Sequence, residues 1–103
     1  MSNNYSVFYS GTCAGQILCL QPELTPLSIN PMMAPEQQFP VDGLLTTDTV
    51  VVNCTGNVAD VCVTSSRVPV DGRIAITFMN YGTGAATPYV GLYRILVFRE
   101  LTT

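Results

Sequence analysis

The sequence predicts an all-β protein, an antiparallel jelly-roll-like β-sandwich entered through an extended Pro-rich N-terminal segment. Three observations lead there. β-branched runs are short and separated by turn signals every eight to twelve residues, no stretch shows helical periodicity, and prolines 22, 26, 31, 35 and 40 interrupt the chain before its strongest strands begin. At 103 residues the chain fits one domain, with residues 1–37 as arm and lead-in and residues 38–103 as the sandwich core.

Taken in order, Tyr5, Val7 and Tyr9 share one parity, and Ile17 to Leu20 form a short apolar run after Gly15, so residues 1–20 make either an arm or two strands. From Gln21 to Pro40 the prolines forbid a helix and any long central strand, leaving extended chain or edge positions. Asp42-Gly43 marks a turn, and Thr46 to Asn53 reads as a strand with Val50 and Val52 on one face. A second strand lies within Val58 to Val70, with Val61, Val63 and Ser65 opposite in face to Cys62, Thr64 and Ser66, and Pro69 closing the run.

Asp71-Gly72 carries the strongest hairpin signal, a two-residue turn with positive φ at both positions. The strand after it has Ile74, Ile76 and Phe78 on one face and Ala75, Thr77 and Met79 on the other. Asn80 to Tyr89 is a loop, and Gly91 opens the nearly continuous apolar strand GLYRILVFREL. Tyr93, Ile95 and Val97 form one row of that strand, while Leu92, Leu96 and Phe98 form the other with Arg94 among them. If the first row fills the core, the second leaves an apolar strip that a monomer should not display, which points to an oligomer.

Hydrophobic residues make up 48% of the chain and charged residues only 11%, so disorder is excluded and much of the surface must be Thr, Ser, Asn, Gln, Gly and backbone. The formal net charge is −3, with Arg67, Arg73, Arg94 and Arg99 scattered and outnumbered, which argues against nucleic acid as a partner. The first residues lack the basic and apolar regions of a secretory signal and no run approaches eighteen apolar residues, so cytosolic synthesis and no membrane partner are expected. Asn4-Tyr5-Ser6 and Asn53-Cys54-Thr55 match the glycosylation acceptor pattern but are read as plain polar residues. Cys13, Cys19, Cys54 and Cys62 are expected as free thiols in a reducing compartment; disulfides and a zinc site are the other readings, the latter against spacings that hold no C-x-x-C.

With neither His nor Lys, no Ser-His or Cys-His nucleophile pair and no Lys base can be assembled, and no catalytic residue, cofactor or metal site is expected. Asp42, Asp48, Asp60 and Asp71 sit in or beside turns, where Asp bonds to nearby main chain. Gly82 and Gly84 precede a strand rather than a helix and are loop punctuation. Tyr81 and Tyr89 flank that loop and either contact a sugar or protein partner or staple the loop to the sandwich. Arg99, next to Glu100, either pairs locally or bridges to a neighbouring subunit, and local pairing is the one expected.

The segments QFPVDGLLTTDTVVVN, SSRVPVDGRIAITFMN and TPYVGLYRILVFR, with Asp48, Gly72, Asn80, Gly91, Tyr93 and Arg99 among the matching positions, resemble a small β-sandwich module of tailed-bacteriophage virion proteins. Capsid decoration, or cement, proteins are the members it resembles most. The resemblance spans Gln38 to Arg99 and leaves the first 37 residues outside it. It implies a jelly-roll-like subunit, commonly trimeric, on the capsid exterior of a virion assembled in a host cytoplasm, with the major capsid protein as partner and no reaction catalysed. On that reading Leu92, Arg94, Leu96 and Phe98, with Tyr5, Val7 and Phe8 of the arm, are interface residues. The alternative is a tail or fibre module that binds a host-surface glycan or protein through Tyr81 and Tyr89.

Overall fold

A computed structural model describes residues 4–10 and 13–100, with side chains from residue 15 onward. Among the described residues the chain is all-β: β1 (Asn4–Ser10), β2 (Cys13–Leu20), β3 (Glu23–Leu24), β4 (Glu36–Pro40), β5 (Thr49–Cys54), β6 (Val61–Arg67), β7 (Arg73–Asn80) and β8 (Gly91–Glu100). They form two antiparallel sheets. Sheet 1 is five-stranded and built around β8, which takes β5 on one edge and β2 on the other, with β1 beyond β2. After a break at Gln21-Pro22, β3 carries on along the β2 side of β8, and the Tyr93 N–H donates to Pro22 C=O at 2.9 Å. Sheet 2 has three strands in the order β4-β7-β6.

The strands alternate as a half-buried sheet requires. Tyr93, Ile95 and Val97 of β8 and Ile74, Ile76 and Phe78 of β7 are all fully buried and form the centre of one core, the two rows expected from sequence. Phe78 stands at the middle, with edge-on ring contacts to Phe39 at 6.5 Å and to Tyr93 at 6.4 Å. Residues on both sides of position 37 build this core, since Leu20, Leu24 and Ile29 belong to it together with Phe39, Val41 and Leu44. Val50 and Val52 of β5 pack against it from their common face.

Three local expectations are corrected. The strand expected from Thr46 begins only at Thr49, because Asp48 closes a turn: its carboxylate accepts from Leu45 N–H at 2.9 Å and its own N–H donates to Leu45 C=O at 2.9 Å. The simple alternation in β6 fails at a bulge between Val63 and Ser65, after which Ser66 rather than Ser65 turns inward and donates to Val50 C=O at 3.4 Å. The β6–β7 connection is no two-residue hairpin. Of Asp71 and Gly72 only Gly72 has positive φ (81°), within a turn closed from Arg73 N–H to Val70 C=O at 3.2 Å. Long-range bonds fix that turn: Gly72 N–H donates to Leu44 C=O, Val41 N–H to Gly72 C=O, and Thr46 N–H to the Asp71 carboxylate, each at 2.9 Å.

Candidate assembly surface

The outer faces of the two sheets differ in chemistry. On sheet 2, Glu36 of β4 reaches across β7 to Arg67 of β6 in a two-bond pair of 2.8 and 2.9 Å, so an ion pair spans Ala75 and leaves it buried on the outside of its strand. Gln38, Arg73, Thr64 and Ser65 share that side of the molecule, and Arg73 donates to Gln38 at 3.4 Å. It is a polar, internally paired face.

Among the described residues sheet 1 has no such cover. Its outward row on β8 is Leu92, Arg94, Leu96 and Phe98, with Leu96 40% exposed and Leu92 and Phe98 half-buried. The register sets Leu96 between Val51 of β5 and Cys19 of β2, and Phe98 between Thr49 and Ile17. Val51 is itself 50% exposed. Ile17, Cys19, Val51, Leu96 and Phe98 therefore form one contiguous apolar patch over three strands, with Arg94 and Asn53 beside it. The strip expected on β8 is thus the middle of a wider surface. Val51 was legible in the sequence, because two inward valines at 50 and 52 force the valine between them outward. Ile17 and Cys19 were not, because nothing local to β2 says which strand it lies against.

Tyr5, Val7 and Phe8 lie on β1, where the backbone register places them opposite Leu18, Gln16 and Gly15. Their side chains lie outside the described residues. Cys19, Cys54 and Cys62 are free thiols, whereas the Cys13 side chain falls outside the described residues. Burial pushes the Cys54 thiol up, against a lowering hydrogen bond to Tyr93.

The two tyrosines of the 80–89 loop have different settings. Tyr89 packs against the core, with its ring centroid 6.0 Å from that of Tyr93, and its C=O accepts the Tyr93 hydroxyl at 2.7 Å. Gly56 and Gly91 make room for the ring, as a Cβ on either would collide with it. Tyr89 is a staple. Tyr81 is 55% exposed, and the loop behind it hangs on the buried Asn80, whose amide donates to Ile29 C=O and Gly84 C=O and accepts from Gly82 N–H, each at 2.9 Å.

Arg99 does not pair with Glu100. Its guanidinium forms a fork on Asp48 (2.9 and 2.8 Å) and a third bond to Gly43 C=O (2.7 Å), tying the end of β8 to the turn before β5. The Asp48 side chain is fully buried. Desolvation alone would raise its carboxyl, but the bonds from Arg99 and Leu45 N–H, with the guanidinium charge, hold it below the ordinary carboxylate value.

A hollow of about 260 Å³ opens at the flank where β5 and β6, the edges of the two sheets, run side by side. Val52, Cys54, Val61, Val63, Phe78 and Tyr89 are among the residues that line it. Comparison with protein family models, with curated proteins and with solved structures finds no match for this chain.

Proposed function

We propose that this chain is a structural virion protein that decorates a bacteriophage capsid and stabilises it by bridging capsid subunits. The observation that carries the reading is the contrast between the two sheet faces. One is sealed by the Glu36–Arg67 bridge, and the other presents Ile17, Cys19, Val51, Leu96 and Phe98 as a continuous apolar surface. A lone domain has little use for such a surface, and a subunit of an assembly does. The jelly-roll-like arrangement implied by the resemblance is supported by the chain's passage from β4 in sheet 2 to β5 in sheet 1, back to β6 and β7, and again to β8.

The chain then acts by adding interface rather than by catalysis. A standard interface buries about 1,600 Å², and a homotrimer repeats it around its axis. The apolar patch meets a neighbouring copy or the major capsid protein, and Arg94 at its border selects for a complementary charge. Leu96→Asp tests this. The side chain is 40% exposed, so the variant folds with the stability of the parent and loses oligomerisation or attachment to empty shells at least tenfold. Unchanged assembly by a folded Leu96→Asp protein removes the patch from the account.

The exposure of Tyr81 beside Gly82-Thr83-Gly84 favours one second reading, a tail or fibre module that binds a host-surface glycan or protein. A glycan array discriminates the two: signal that disappears with Tyr81→Ala supports the module, and shell attachment without any glycan signal supports decoration.

A further inference from the structure

The edges of sheet 1 are chemically unlike those of sheet 2. In sheet 2, β4 ends in Pro40 and carries Glu36, while β6 has a bulge and ends in Arg67, which are devices that stop a strand from recruiting another. In sheet 1, β1 (NYSVFYS, seven residues) and β5 (TVVVNC, six residues) contain no charge and no proline, and the register of each to its neighbour is unbroken. These are unguarded edges at opposite sides of one sheet.

Antiparallel ladders bond through alternate residues, so two bonds fix the polarity of the whole sheet. Tyr93 N–H points to the β2/β3 side of β8 and Leu92 C=O to the β5 side, where it accepts from Thr55 N–H at 3.3 Å. Following the registers outward, Val50, Val52 and Cys54 of β5 and Tyr5, Val7 and Tyr9 of β1 direct their main-chain groups away from the sheet. Ser66 takes the Val50 C=O. The flank is thus closed at Val50 and opens toward Cys54, beside the 260 Å³ hollow.

We propose that sheet 1 continues from one copy of this chain into the next, the free edge of β1 pairing with the Val52–Cys54 edge of a neighbour's β5. The occupant is a second copy because the two open edges belong to the same sheet and are both uncharged. The contact joins different surfaces of the two copies, so it is head-to-tail and closes into a ring or runs on as a filament. It also leaves the apolar outer face of sheet 1 on one side of the assembly, free for another partner. The inference concerns contacts between copies and holds whether or not the partner is a capsid.

Proline tests it, because on an edge strand proline removes an outward N–H without touching the inward ladder. Val7→Pro blunts β1 and Cys54→Pro blunts β5. The full-length wild type is expected to form a closed oligomer by light scattering. Each variant alone falls to the 11.1 kDa of a single chain, and an equimolar mixture gives a two-chain species and nothing larger, since one intact β1 and one intact β5 remain. If either proline variant loses its native far-ultraviolet spectrum, Ser6→Lys and Asn53→Lys repeat the experiment with the main chain intact. A wild type that stays at single-chain mass, a blunted variant that keeps the wild-type mass, or a mixture of folded variants that stays monomeric overturns the proposal. A ring that forms by these rules yet ignores empty shells leaves it standing and counts against decoration alone.

Discussion

Asp48 and Arg99 stand 51 residues apart in sequence and form the one ion pair among the described residues with a fully buried carboxylate. Asp48→Asn removes the charge that Arg99 needs while keeping most of the shape. A broken buried pair typically costs about 3 to 5 kcal/mol, and urea unfolding should show about 3, the low end, because the Arg99 side chain keeps 23% of its exposure. The pH dependence has a definite sign. The folded value of Asp48 lies below its unfolded value, so its contribution is present in full above the ordinary carboxylate range and is lost as the pH falls through the depressed folded value. The urea midpoint of the wild type should therefore decline as the pH drops below about 4, and Asp48→Asn should lack that part of the decline. The sequence showed Asp48 as a turn former, which it is, but its link to Arg99 depends on how β8 meets the β5 turn, and no local pattern encodes that.

The strands were the most legible elements where a single face is buried. In β7 and β8, adjacent residues have opposite environments: Ile95 is fully buried and Leu96 is 40% exposed. Ile95→Ala should cost about 3 kcal/mol in urea unfolding, as a deletion in a filled core does, whereas Leu96→Ala should stay within about 1. Equal costs would mean that the two rows had been assigned to the wrong faces. Alternation failed where the chain inserts a residue, as at the β6 bulge, or where a turn is held by a distant loop, as at Gly72 against Leu44. Neither the extra residue nor the distant bond alters the composition of the segment. Among the prolines from 22 to 40 the chain forms β3, two residues long, and β4, an edge strand. What they hid is that Leu24 and Ile29 between them reach the core.

For the whole molecule, the low charge content and the two-faced last strand pointed to a subunit, and the structure widens the apolar strip of β8 to Val51, Ile17 and Cys19. Because Glu36 and Arg67 meet across Ala75, one broad face is self-sufficient. The opposite face and the two edges of sheet 1 are not, and all three belong to the sheet built around β8. The width of the patch could not be read beforehand, since it arises from the registers that bring Val51 and Cys19 to either side of Leu96. The central claim is that this chain works as an assembled subunit, and the solution mass of the reduced, full-length protein tests it most directly. Light scattering over a dilution series should give three times the 11.1 kDa chain mass, persisting as the protein is diluted. A mass of one chain at every concentration would contradict the account.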